Sequence, residues 1–385
     1  MTGLTRDEIL GRGHPVWAEI DLAAIRHNVE TLRGLARGAE FMGVVKGYAY
    51  GHGNPASARA MLQAGAGRLG VARVAEAIHL RESGIEVPIQ VFTEPPVEAA
   101  GNMLELDLTA TIYTQNFARA LSERATERGS VARAHVKVDT GMHRVGLPLD
   151  DVEDAMHEFR SLPGLDIEGA WSHLAVADVP DHPFTRKQLD LFVDIVGKIE
   201  RAGIELRYKH LANSAATLSI PETHFDLVRC GVASFGLWPG TALAGSADLR
   251  PAMALRARVS MVKTVPAGDA LSYGLKYELP RTGNVVTVPA GYADGYDRRL
   301  SGRGTILISG SPFRVAGTVC MDQLMVDVGE ETVEVGDVVT LLGRDGDGVI
   351  TAEELADEIG TINYEIVTRV PSRVPRVYLN ELPDA

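Results

Sequence analysis

Cysteine is nearly absent. Only Cys230 and Cys320 occur in 385 residues, too few for a disulfide framework and without metal-ligand spacing, so a reducing compartment is expected. Basic runs are missing as well, and the net charge of −13 excludes the electrostatic footprint of a nucleic-acid-binding protein. No segment reaches the ~18 consecutive apolar residues of a membrane span, and the opening MTGLTRDEILGRGHP has no apolar stretch of signal-peptide length. A soluble cytoplasmic protein with neither membrane nor nucleic-acid partners is expected. Fixed-period repeats and low-complexity tracts are also lacking. What remains is ordinary globular composition, 45% hydrophobic and 23% charged, at a length that suits roughly two domains and a small-molecule ligand.

From about Val16 to Pro239, short β-like runs alternate with longer stretches of helical period, the pattern of βαβ units and a parallel sheet. Candidate strands lie at 41–45, 68–72, 88–92, 108–113, 134–139, 168–173, 207–212 and 230–238. Eight such strands with intervening helices predict a TIM-type (β/α)8 barrel over residues 15–247, with functional side chains at the C-terminal strand ends. After GTALAGSADLRP the helices fade and β-rich runs take over, so a mostly β domain is expected over 248–385, with residues 1–14 packed on it.

One motif is rejected. GRDGDGVITAEEL (343–355) puts Asp345, Asp347, Gly348 and Glu354 at positions of a calcium-binding loop, but its first position is Gly343, which has no side-chain ligand, and a strand-like run replaces the incoming helix. A polar turn followed by a helix capped at Thr351 explains the same residues.

The stretch FMGVVKGYAYGHG (41–53) carries an apolar strand straight into Lys46. Such a lysine either snorkels to water or sits in a pocket with a lowered pKa as a nucleophile or Schiff-base former. Its company favours the second. KGYAYGHG is similar to the cofactor-lysine signature of alanine racemases, bacterial pyridoxal 5′-phosphate enzymes with a barrel followed by a β domain. The similarity extends through HVKVDTGMHRVG (135–146), WSHLAVAD (171–178), HLANSAATL (210–218), FDLVRCGVASFGLWPG (225–240), LSYGLKY (271–277), VPAGYADGY (288–296), GTVCMDQLMVDVG (317–329) and TINYEIVTRV (361–370).

The resemblance implies that Lys46 holds pyridoxal phosphate as an imine. It also implies that Tyr50, Ser214, the N–H groups of Gly231 and Val232, and Tyr364 bind the phosphate. Glycine at 231 suits close phosphate approach; taken alone it is equally a bend in a strand. Arg229 matches the arginine facing the pyridine nitrogen, where a permanent cation disfavours ring protonation and weakens the electron sink. Alone, Arg229 reads as an ordinary ion pair. Lys46 and Tyr273 match the two bases that act on opposite faces of Cα. A tyrosine needs polar or cationic neighbours to serve at neutral pH, and His173 and Arg144 match the residues that supply them. Out of context, His173 is a strand-end histidine and Tyr273 a half-buried aromatic.

Arg144 is also implied near the substrate carboxylate, with Tyr292, Met321 and Asp322 lining the substrate pocket. Lys137 matches a lysine that is carbamylated in many relatives and orients Arg144. Tyr273 and the CMD loop reach the other subunit's site in the family, which implies a head-to-tail homodimer with shared sites. The implied activity is interconversion of L- and D-alanine, supplying D-alanine for peptidoglycan. A broad racemase of serine or lysine, a related barrel decarboxylase and a non-catalytic cofactor-binding protein are the alternatives. This chain departs from the usual family residues at Gly47-Tyr48, His143, Cys230 and Thr318; none of these removes a reacting group, but His143 adjoins the carboxylate clamp and bears on substrate range.

Overall fold

The computed structural model describes residues 5–36 and 38–382. Two compact units emerge. Among the described residues, one comprises Ala24–Ala49 and Asn54–Arg250; the other gathers residues 5–23, Tyr50–Gly53 and residues 251–382.

The first unit is a barrel of eight parallel strands. In order they are Glu40–Val44, Arg68–Val71, Ile89–Val91, Leu108–Ile112, Ala132–Lys137, Leu165–Trp171, Tyr208–His210 and Leu227–Cys230, each paired with the next through the seventh, while the last pairs with the first. Backbone bonds from Asp226 N–H to Lys209 O (3.1 Å) and from Arg229 N–H to Ala212 O (3.2 Å) close the remaining seam. Every residue of Arg68–Val71 and Leu108–Ile112 is buried, as expected for parallel strands covered on both faces. The covering helices follow amphipathic logic. Gln115–Glu127 starts where Thr114 Oγ1 accepts from Phe117 N–H at 3.3 Å and turns Phe117, Leu121 and Ala125 inward. Pro183–Arg201 begins with proline in its first turn and buries Leu189, Phe192, Ile195, Val196 and Ile199.

The expected eighth strand is corrected: pairing runs over Leu227–Cys230, and Val232–Phe235 forms a 3-10 turn. Carbonyl bonds from Ser234 and Gly236 back to Gly231 and Ala233 end the extended run where the sequence still reads apolar.

The second unit is mostly β. Its main sheet runs Ser311–Arg314, Thr305–Ile308, Val338–Asp345, Met253–Arg258, Val16–Asp21, Arg376–Leu379, with Gly348–Ile350 hairpinned onto Val338–Asp345. Met261–Val265, Gly283–Val288 and Leu324–Gly329 form a second sheet, and Ala270–Leu271 pairs with Tyr277–Glu278. The expected 15–247 stretch begins with a strand whose partners lie beyond it. Val16–Asp21 lies antiparallel to Met253–Arg258 and parallel to Arg376–Leu379, so its hydrogen bonds assign it to the β unit. Ahead of it, helix Arg6–Gly11 sets Ile9 against Trp17 and Val377. The excursion Tyr50–Gly53 is pinned there too: Arg376 donates to Gly51 O at 2.6 and 3.0 Å, and at φ +83° any Cβ on Gly51 would meet Val367 O at 2.1 Å.

In the segment that resembles a calcium loop, Thr351 and Glu354 form a reciprocal capping box at the start of Ala352–Ile359. No helix among the described residues is long and apolar enough to cross a membrane.

Candidate active site

Lys46 stands just beyond the first barrel strand, at the start of a turn of unusual hand. Gly47, Tyr48 and Ala49 have φ of 63°, 56° and 53°, and Tyr50 continues at 52°. Left-handed backbone costs an L-residue about 1–2 kcal/mol, so three non-glycine residues in succession need outside support. Glu76 supplies it. Its carboxylate accepts from Gly47 N–H at 2.6 Å, and also from Ala72 N–H at 2.8 Å and Arg73 N–H at 3.0 Å. One side chain thus closes the head of helix Val74–Glu82 and clamps the turn that carries Lys46. Glu76→Ala is expected to cost about 2–3 kcal/mol in urea unfolding, because three N–H groups lose a charged acceptor, with Glu76→Gln falling between; coincident curves for all three proteins would show that the turn is held otherwise.

Burial pushes the Lys46 amine below its ordinary pKa, helped by the Arg144 and Arg229 cations and opposed by Glu76. Lys137, at the end of the fifth strand, is only 3% exposed, and burial with Arg229 and Arg144 holds its amine well below the usual range. Its Nζ lies 4.4 Å from the centre of the Trp171 ring and 3.4 Å from Val138 O. The Arg229 guanidinium also lies 4.8 Å from the centre of the Trp171 ring, so one indole serves two cations. Arg229 reaches the carbonyls of Ser172 (2.8 Å) and Leu211 (3.0 Å) and lies 3.5 Å from His173 Nδ1. Burial lowers its pKa to about 9, leaving it charged at neutral pH. His173 is kept neutral by burial and by Arg229, Lys137, Arg144 and Lys46. Gln188 steadies this end of the barrel, donating to His173 O at 3.0 Å and to Thr140 Oγ1 at 3.1 Å.

A second cluster follows the seventh and eighth strands. Ser214 opens helix Ser214–Ser219, capped by Asn213, and its Oγ accepts from Gly231 N–H at 3.0 Å and Ala233 N–H at 3.5 Å. Val232 begins the adjoining 3-10 turn. Backbone donors therefore converge on an oxygen acceptor, the geometry of an anion cradle. All these residues sit at the C-terminal strand ends, where barrels carry their chemistry.

The remaining predicted residues belong to the β unit. Tyr50 and Tyr364 have ring centres 6.2 Å apart. Tyr273 stands at the tip of the hairpin between Ala270–Leu271 and Tyr277–Glu278, flanked by the positive-φ residues Ser272, Gly274 and Leu275, and is 73% exposed. Thr318 holds that tip: its Oγ1 donates to Tyr273 O at 2.8 Å, and its carbonyl accepts from Ser272 Oγ at 2.6 Å. Tyr292 N–H donates to Cys320 O (3.1 Å) and Ala293 N–H to Met321 O (3.0 Å). Arg373 bridges Asp294 (2.8 Å) and Asp322 (2.7 Å). The SYG hairpin, the GYAD turn and the CMD loop are thereby knit into one surface.

Sequence reasoning missed Glu76, Trp171, Ala233 and, deeper in the barrel, Glu168, His135 and His210. The glutamate three residues after Arg73 was a visible N-terminal helix signal; the others have no local signature. Among the departures, Cys230 is buried, donates to Thr217 Oγ1 at 3.4 Å and has its thiol pushed up to about 12 by burial, hence inert. His143 adopts φ 55° and pairs with Asp139 at 3.2 Å, one residue before Arg144.

Family comparisons agree with this architecture. Residues 20–239 match the model of the alanine racemase N-terminal domain and residues 252–378 that of the C-terminal domain. The alanine racemase of Carboxydothermus hydrogenoformans is 45% identical over 367 residues, covering 95% of this chain and 100% of the relative. The crystal structure of alanine racemase from Streptomyces lavendulae superposes with a TM-score of 0.90 at 44% identity, covering 96% of this chain and 98% of that one. For alanine racemase from Streptomyces coelicolor the TM-score is 0.91 at 41% identity, with 95% and 98% covered. Matched over both units and with its lysine, arginine and serine motifs at the strand ends, the chain belongs to the alanine racemase family.

Proposed function

We propose that the protein interconverts L- and D-alanine with pyridoxal 5′-phosphate, and that it works in the cytoplasm as a homodimer. The carrying observation is the convergence, at one end of the barrel, of an amine with lowered pKa, a buried guanidinium and an N–H cradle, Lys46, Arg229 and Ser214–Gly231. That donor set fits a group bearing an aldehyde, a ring nitrogen and a phosphate. Bound pyridoxal phosphate supplies the electron sink that acidifies the amino-acid Cα–H.

The rest falls to the chain's own residues. Ser214 Oγ and the N–H groups of Gly231 and Val232 grip the phosphate, with the Tyr50 and Tyr364 hydroxyls assigned to the same role. Arg229 would face the ring nitrogen and, as a charged group, would disfavour its protonation. Arg144 binds the substrate carboxylate, and Lys137, within its electrostatic reach, positions it, whether as the amine or carbamylated. Lys46, its amine lowered in pKa chiefly by burial, removes or returns the proton on one face.

Tyr273 serves the other face, from a second copy of the chain, with neutral His173 and Arg144 in its network. Its support is exposure: Tyr273 and Leu275 are 73% and 68% exposed and Met321 is 53% exposed, on loops already bonded together, a surface suited to completing another subunit's pocket. Tyr292, Met321 and Asp322 are placed along that pocket.

Proton NMR in D2O tests the reading on purified protein supplied with pyridoxal phosphate. L-Alanine is expected to lose its Cα proton and yield the D-enantiomer, while L-serine and L-lysine remain unchanged. Turnover of all three would make the enzyme a broad racemase, and exchange of none would overturn the proposal.

A further inference from the structure

Beneath the site, the barrel core holds a row of polar groups where aliphatic layers are usual. Arg229 Nη1 lies 3.0 Å from His210 Nδ1; His210 Nε2 lies 2.7 Å from His135 Nδ1; His135 Nε2 lies 3.1 Å from Glu168 Oε1. All four side chains are at most 5% exposed.

Proton directions in this row follow from chemistry. A guanidinium has donors and no acceptor, so His210 Nδ1 must accept. Both imidazoles are driven toward neutrality: burial dominates for each, with Arg229 adding to it at His210 and the Glu168 carboxylate opposing it at His135. A neutral His210 that accepts at Nδ1 carries its proton on Nε2 and donates it to His135 Nδ1. His135 then carries its own proton on Nε2 and needs an acceptor there. Glu168 provides it, and although burial disfavours its ionisation, His135, Arg68 and Arg207 keep its carboxyl below the ordinary range. A single proton arrangement satisfies every member, with Arg229 as donor at one end and Glu168 as acceptor at the other.

Two features of the backbone are built for this row. The sixth strand bulges at Glu168: Ala134 pairs with Ile167 and His135 with Gly169, skipping one residue, and bulges re-aim side chains. Beside it, a Cβ on Gly169 would lie 3.0 Å from His135 Nδ1 and 2.7 Å from Tyr208 O, so glycine leaves the imidazole its place.

We propose that Glu168 is a positioning residue: as the terminal acceptor it holds His135 and His210 in their Nε2–H tautomers and so keeps the His210 Nδ1 acceptor in place under the Arg229 guanidinium. The functional part rests on Arg229 facing the pyridine nitrogen. With Arg229 loosened, the cofactor's ring nitrogen would be easier to protonate and the group a stronger electron sink. Abortive transamination, in which water releases pyruvate and the amino group stays on the cofactor, would then compete better with return of the proton to Cα.

The test has two parts. In 15N-labelled protein without cofactor, histidine NMR should show both residues as Nε2–H; mixed tautomers in the native protein overturn the proposal without any variant. Glu168→Ala should lose the lock at His210 as well as at His135, and Glu168→Gln, whose amide oxygen still accepts, should restore it; a His210 signal indifferent to Glu168→Ala overturns the proposal. In the loaded enzyme, Glu168→Ala should lower kcat about tenfold, the scale of outer partners of a catalytic group, and raise pyruvate formed per racemisation by a similar factor, with Glu168→Gln near native. A lost lock with unchanged pyruvate partition rejects the functional part. Because the tautomers are read without cofactor or substrate, failure of the racemase assignment leaves that first result standing.

Discussion

Lys46→Ala is expected to reduce racemisation by about 10⁴-fold or more, since it removes a covalent anchor and a proton-transfer group together. The sharper test is chemical. Borohydride reduction of the loaded native protein should fix the cofactor to a single peptide, the one containing Lys46, and the alanine variant should yield none. Lys137 is the competitor, another buried amine pushed to low pKa in the same strand-end region. Its surroundings argue against it: Nζ is lodged between the Trp171 ring and Val138 O, whereas Lys46 opens a turn whose every residue through Tyr50 is held left-handed. Label on Lys137 would reverse the two roles.

Tyr273→Phe should abolish proton exchange on one face of Cα, by about 10²–10⁴-fold, while the Lys46 face continues. Deuterium would then enter one enantiomer without inversion. The two variants can also be combined. If Tyr273 serves the neighbouring subunit, mixing Lys46→Ala with Tyr273→Phe protein forms heterodimers in which one site has both intact groups and the other has neither. Random exchange of subunits then restores about a quarter of native activity. Zero restoration after demonstrated subunit exchange would place both groups on the same chain and end the shared-site proposal.

What could be read in the sequence was what is local or strictly patterned. The apolar run into Lys46, the alternation of strands and helices, and the capping box at Thr351 are properties of neighbouring residues, and the structure realises them as barrel strands and a capped helix. Val16–Asp21 was not among the candidate strands, and its place in a sheet could not be read locally, because its partners begin at Met253 and Arg376. Glu168 was invisible for a related reason. In a regular strand its neighbours' alternation points it away from His135, and a single skipped pairing reverses that. Glu76 lies 29 residues from the turn it clamps, within a helix start that explains it fully on its own.

The placement of Val16–Asp21 in the middle of a sheet has a consequence for synthesis. Both of its flanking strands, Met253–Arg258 and Arg376–Leu379, are made after the whole barrel. At about 5–20 residues per second, this early strand leaves the ribosome roughly 20–70 s before its second neighbour exists, with both edges unpaired and open to association with other chains. The barrel can finish first; the β unit cannot. Folding of the nascent protein therefore runs from its middle outward, and the segment translated among the earliest is sheltered among the last.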